Sequence, residues 1–273
     1  MMMKLLRIIV AILTVVMVAI FGFVYVQERF FSDKTIPRIT IESENLDVKA
    51  TATDADLLRG VSAYDEKDGD LTSRLLVESI GNFIKPGCCR VTYAVCDADN
   101  HVVTAQRQIR YTDYTPPKFT LNAPLLFSVY GTLNIVGIIG AVDCLDGDIS
   151  QNVIIYSPDY EPGQTGHFSV RATVQNTKGD SAEIVLPMLV DRLASNAPQI
   201  ELTEYLIYLK KGQTPDWNRY IAGATDHTGL DAQLTYHIET DFIARKEGIY
   251  SVDYYGTDEA GVVGHTRLLV VVE

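Results

Sequence analysis

The sequence predicts an all-β protein: three tandem antiparallel β-sandwich domains behind one apolar N-terminal helix. Three observations carry this. First, Gly87-Cys-Cys-Arg-Val-Thr-Tyr, Gly166-His-Phe-Ser-Val-Arg-Ala and Gly248-Ile-Tyr-Ser-Val-Asp-Tyr are one pattern written three times. Each sets core-type residues at alternate positions: Cys89, Val91 and Tyr93; Phe168, Val170 and Ala172; Tyr250, Val252 and Tyr254. Alternation of period two is the mark of a half-buried strand. The spacing, about eighty residues, exceeds that of solenoid repeats and fits a whole small domain. Second, an acidic turn recurs upstream of each glycine. Third, Ile8 to Val26 contains no charged residue.

Residues 1–7 read as a cytoplasmic stub, because Lys4 and Arg7 precede the apolar run while Glu28 and Arg29 cancel after it. Residues 8–26 read as a transmembrane signal-anchor helix, just long enough for a hydrocarbon core of about 30 Å. Tyr25, Phe30 and Phe31 suit an interfacial aromatic belt. A cleaved signal peptide is the competing reading, but its apolar region is usually shorter and ends at small residues. Here Phe21, Phe23 and Tyr25 crowd that place. Residues 27–36 form a membrane-proximal linker.

The three domains are expected at 37–113, 117–191 and 198–273. Pro116-Pro117 and the stretch from Asp191 to Pro198 form the joints. Consecutive prolines favour extended geometry, so three sandwiches are expected in line as a semi-rigid rod. No helical period stands out after residue 26. Short strands separated by Gly, Asp, Asn and Pro read as a sandwich.

The acidic turn is Ala63-Tyr-Asp-Glu-Lys-Asp-Gly-Asp-Leu-Thr in the first copy and Ala141-Val-Asp-Cys-Leu-Asp-Gly-Asp-Ile-Ser in the second. The third is degraded to Ala224-Thr-Asp-His-Thr-Gly-Leu-Asp. Two readings stand side by side. Asp-Gly is turn chemistry, with flanking aspartates capping loop amides. Alternatively, Asp65, Asp68 and Asp70, and likewise Asp143, Asp146 and Asp148, converge on calcium, which takes roughly six to eight oxygens. The turn near Asp97 and Asp99, or near Asn176, is expected at the same sandwich end, with Asp113 close to the second site.

This pattern, followed by Pro-Gly or Glu-Gly with an alternating strand and a Thr-Pro-Pro joint, resembles a family of bacterial Ig-like domains. These are the modules also noted in a pesticidal crystal toxin (DUF5011-type), related to hyalin-repeat and cadherin-like modules. The resemblance covers nearly all of residues 37–273. It implies Ig-like sandwiches in tandem on exported proteins, serving as spacers, adhesion modules or carbohydrate-associated modules. The third copy departs from it at Gly229-Leu230.

The formal net charge is −12. That argues against nucleic acid, which wants basic patches. Cys88 and Cys96 share one predicted strand and lie too far apart to bridge. The five histidines make no zinc spacing, and no nucleophile elbow or P-loop is present. A carboxylate set repeated in tandem is a poor design for one active centre. Enzyme activity is therefore not expected. His101 and His265, just beyond polar turns, are expected in solvent. Trp217 is either a core residue ahead of a strand or an exposed platform for a sugar ring. The expected function is a non-catalytic, membrane-anchored surface stalk or binding module for a protein or glycan. A scaffold subunit of an envelope assembly or export system is the alternative, ahead of a glycan-acting enzyme.

Overall fold

The computed structural model describes residues 2–31, 35–156 and 158–273. Linker positions 32–34, and the side chains of Lys4, Arg7, Glu28, Arg29, Phe30 and Phe31 invoked above, lie outside the described residues.

Helix α1 (Met2–Phe31) carries one stretch, Ile9–Val26, of mean hydropathy 2.8 with none of it buried. By length and composition this stretch suffices to cross a membrane.

The first domain comprises β1 (Arg38–Ile41), β2 (Asn45–Val48), α2 (Asp54–Leu57), β3 (Val61–Asp65), β4 (Gly69–Asp70), β5 (Leu76–Ile80), β6 (Cys88–Cys96) and β7 (Val102–Tyr111). One sheet runs β1-β3-β4 and the other β2-β7-β6-β5. Pairing is antiparallel except for β2, which runs parallel to β7. Cys89, Val91, Tyr93 and Ile109 are wholly buried between the sheets. The pattern opens on glycine because Gly87 sits at φ +72°, where a Cβ would strain the backbone. The turn of helix α2 has a sequence cause: Thr53 and Asp56 form a reciprocal capping box. Tyr93 donates its hydroxyl to the Leu57 carbonyl at 2.8 Å. Buried Arg107 donates to the Tyr93 oxygen at 2.6 Å and to the same carbonyl.

The second domain repeats this plan with β8 (Lys118–Leu121), β9 (Leu126–Ser128), β10 (Ile139–Asp143), β11 (Gly147–Asp148), β12 (Ile154–Ile155), β13 (Gly166–Gln175) and β14 (Ser181–Asp191). Its sheets run β8-β10-β11 and β9-β14-β13-β12. The third has β15 (Gln199–Leu202), β16 (Leu206–Leu209), β17 (Ile221–Thr225), β18 (Thr235–Thr240), β19 (Gly248–Thr257) and β20 (Val263–Val272). Its sheets run β15-β17 and β16-β20-β19-β18. The second strand again runs parallel to the last one, β9 with β14 and β16 with β20. The sandwiches are thus antiparallel with one parallel edge each. The sequence does not announce that edge, because parallel and antiparallel edges alternate alike.

The chain divides into two compact units. One holds residues up to Thr112 without Lys85–Gly87; the other holds those three residues and Asp113–Glu273. The second and third sandwiches thus fall in the same unit. The reason is the outer face of the third sheet. Leu206 and Leu269 belong to the same buried cluster as Phe119, Leu186 and Met188, with Ile249 and Val271 packed against it. Apolar residues on both faces of β20 make it a buried central strand. The run Leu268-Leu-Val-Val-Val is the sequence signal of this.

Candidate functional site

The acidic turns lie between β3 and β4, and between β10 and β11. Asp65 Oδ1 accepts the amides of Lys67 and Asp68 at 2.8 and 3.1 Å. Asp143 Oδ1 does the same for Leu145 and Asp146 at 2.9 and 3.1 Å. Asp68 and Asp146 reach across to the neighbouring turn and take the amides of Ala98 and Thr177, both at 2.6 Å. The two turns therefore do share one end of each sandwich. Asp70 and Asp148 cap Thr72 and Ser150 at 2.9 and 3.0 Å. These amide bonds hold Asp70 and Asp148 below the usual carboxylate range, together with the Thr72 and Ser150 hydroxyls, which act most strongly.

Each carboxylate accepts its own backbone amides. Among the described residues no group of three or more His, Cys, Asp or Glu is placed to hold a metal ion. As the loops stand, this donor set is occupied by amides of its own sandwich end. It fits loop closure.

One difference between the copies stands out. In the second, Asn176 gives its side-chain amide to Asp143 Oδ2 at 3.2 Å, and to the hydroxyl of Tyr114 at 3.1 Å. Its Oδ1 accepts the amides of Lys178 and Asp180. In the first copy Asp97 stands in that place and accepts the amides of Asp99 and His101 in the same way. A carboxylate has no N–H to offer. Among the described residues, Asp65 Oδ2 is accordingly buried with no hydrogen-bond partner.

Trp217 is half-buried at the start of a short 3-10 turn, Trp217–Tyr220. Its ring meets Phe242 edge-on at 5.1 Å and lies 6.4 Å from Tyr220. Its carbonyl takes the Tyr254 hydroxyl at 2.9 Å. Tyr254 thus repeats what Tyr93 does in the first copy. The ring packs beside the core of the third domain.

A polar and aromatic surface escaped the sequence reading. The outer face of the third sheet carries two adjacent cross-strand rows. His237 opposes Tyr255, which opposes His265; Glu239 opposes Asp253, which opposes Arg267. The Tyr255 ring stacks on His265 at 4.4 Å and lies 6.3 Å from His237. Arg267 grips both oxygens of Asp253 at 2.7 and 2.9 Å, and His265 Nε2 reaches Asp253 Oδ1 at 2.8 Å. The His265 side chain is only 5% exposed, so the expectation of a solvent histidine fails there. The Tyr255 ring stacked on it and the Asp253 carboxylate against it are its neighbours on the sheet. Burial pushes the Asp253 carboxyl up, yet the bonds from His265 and Arg267 outweigh it and hold the group low. Burial, with the Asp253 and Glu239 charges, pushes the Tyr255 hydroxyl up.

Two clefts within this unit meet at Tyr255. One, about 590 Å³, is lined by His167, Asp191, Glu239, Asp253 and Arg267 among others. The other, about 670 Å³, includes Asp191, Tyr205 and His265. Carboxylates, imidazoles and a phenol so placed offer polar recognition. The signal was readable: Asp253 and Tyr255, and His265 and Arg267, are two apart on strands and so share a face.

No protein-family profile matches the chain. It is 29% identical over 256 residues to the pesticidal crystal protein Cry22Aa of Bacillus thuringiensis, covering 88% of this chain and 34% of that protein. It is 28% identical over 138 residues to an uncharacterized 81.3 kDa protein of Acholeplasma phage L2, covering 48% and 18%. The chain thus spans about a third or less of these relatives. Among solved structures it is similar to the M60 catalytic domain with CBM51 domains of Clostridium perfringens ZmpB, at TM-score 0.23 and 16% identity over 86% of this chain and 30% of that one. It is also similar to Drosophila N-cadherin EC1-4, at TM-score 0.24 and 15% identity over 88% and 68%. At these scores neither carries a functional inference.

Proposed function

We propose that this chain is a non-catalytic, membrane-anchored surface protein whose sandwiches present a binding module. The Ile9–Val26 stretch stays in the bilayer, residues 1–7 face the cytoplasm, and the domains at 37–113, 117–191 and 198–273 lie outside. They are Ig-like domains of the type that the acidic turns and Thr-Pro-Pro joint resemble. The observation that carries this reading is the apolar stretch itself, wholly unburied at the head of a chain of sandwiches. A core helix would be covered by its own domain.

The non-catalytic part rests on the acidic turns. Their carboxylates are spent on backbone amides, which makes them structural. A protein partner is favoured over a glycan. Trp217 is packed against Phe242 instead of standing free, while β18 offers an open sheet edge. The same edge would serve a scaffold in an envelope assembly.

Intact-mass measurement of the chain extracted from membranes tests the anchor. An uncleaved N-terminus that resists alkaline carbonate extraction is expected. A mature chain beginning after residue 19, released by carbonate, would show a signal peptide instead.

A further inference from the structure

We propose that strand β18 is a self-association edge, pairing antiparallel with β18 of a second copy about Ile238. This goes beyond the reading above, and either can fail without the other.

β18 is the terminal strand of its sheet, in the order β16-β20-β19-β18. An uncovered edge strand is a template for another chain, and proteins usually blunt it with lysine, proline, a bulge or shortness. The equivalent edges of the other copies are blunted: β5 has a register shift between Val77 and Ser79, and β12 is two residues long. β18 runs six residues, Thr-Tyr-His-Ile-Glu-Thr, in unbroken register with β19. It has neither lysine nor proline.

The geometry selects one partner register. The Asp241 amide donates to the Ser251 carbonyl on β19. In an antiparallel ladder alternate residues bond to the same neighbour, so His237 and Glu239 also bond inward. Tyr236, Ile238 and Thr240 then turn their N–H and C=O outward. Among the described residues these backbone groups have no partner beyond β19. A second β18 must match outward residues to outward residues. Placing Ile238 opposite Ile238 uses all of them and forms about six inter-strand hydrogen bonds.

That register also fits the side chains. Opposed residues then sum to twice 238, so His237 of each copy meets Glu239 of the other on the outer face. Within one chain His237 Nε2 already lies 3.1 Å from Glu239 Oε1. Two such pairs, crossed, make an alternating square of imidazoles and carboxylates. Sliding the register by two places sets Glu239 against Glu239 in one direction, where like charges directly opposite are unfavourable, and His237 against His237 in the other, where Glu239 faces Thr235 and no imidazole. On the inner face Ile238 meets Ile238, each beside its own core. The partner that satisfies both faces and the backbone is thus a second copy of this chain. Anchoring in one membrane raises its effective concentration.

Sedimentation equilibrium of the full chain in a density-matched detergent tests this with three proteins. The wild type is expected to show a monomer–dimer equilibrium. His237→Glu places four carboxylates together and should weaken association by about tenfold or more. The swap His237→Glu/Glu239→His restores the alternation and should recover it. The side chains are 72% and 62% exposed, so thermal melting matching the wild type verifies folding. A wild type that stays monomeric throughout, a His237→Glu variant that associates as the wild type does, or a swap no better than the single change would each overturn the proposal.

Discussion

The hydroxyl of Tyr208 both accepts the Phe119 amide, at 3.0 Å, and donates to the Phe119 carbonyl, at 3.2 Å. A side chain of the third sandwich thereby closes the exposed backbone of an edge strand of the second. Burial pushes this phenol up to about 12, and Lys118 Nζ sits 4.5 Å over its ring. Lys118 also bonds Glu273 at 3.0 Å.

This contact predicts cooperativity. Tyr208→Phe leaves both Phe119 groups without a partner, at a cost of about 1–3 kcal/mol. By calorimetry, residues from Asp113 onward should melt in one transition, and the substitution should lower it as a whole. Two transitions, with only one moved, would mean independent domains.

Asp65 gives a second prediction. Asp65→Asn is isosteric, keeps the Oδ1 acceptor and supplies the N–H that Asp65 Oδ2 lacks. The first domain should gain roughly 3–6 °C in Tm. A lower Tm would show that both carboxylate oxygens are needed.

Asp253 sets the third. Its carboxyl is held low when folded, as the bonds from His265 and Arg267 outweigh burial. Its contribution is therefore complete above the unfolded value of about 3.9 and is lost as pH falls through the lower folded value. Asp253→Asn should flatten urea stability against pH below about 4. At neutral pH it should cost about 3 kcal/mol, because Arg267, 2% exposed, loses its partner. Parallel pH profiles for the two proteins would contradict the assignment.

The strands were legible where alternation is strict. Cys89, Val91, Tyr93, Val252 and Tyr254 lie where period two puts them, all wholly buried. Helix α2 was missed because one turn is too short to show a helical period, although Thr53 and Asp56 spelled its cap. The acidic turns were legible as turns. What spacing withheld was direction: aspartates two or three apart serve amides or a cation equally well until the loop is drawn. The union of the second and third sandwiches was withheld too. The apolar residues of β20 signalled burial on both faces, but not what does the burying. The row from Glu239 to Arg267 joins residues brought level only by strand register.

The central claim is that the sandwiches stand outside an anchored helix, and Cys144 is a native reporter of it. Its thiol is exposed, while Cys88 and Cys89 are buried and no disulfide joins the four cysteines. Intact cells expressing the full chain should be treated with a membrane-impermeant maleimide, with Cys144→Ser as the control. The account predicts labelling of the wild type without lysis and loss of most of that labelling in the variant. Labelling that appears only after the cells are permeabilised would contradict it.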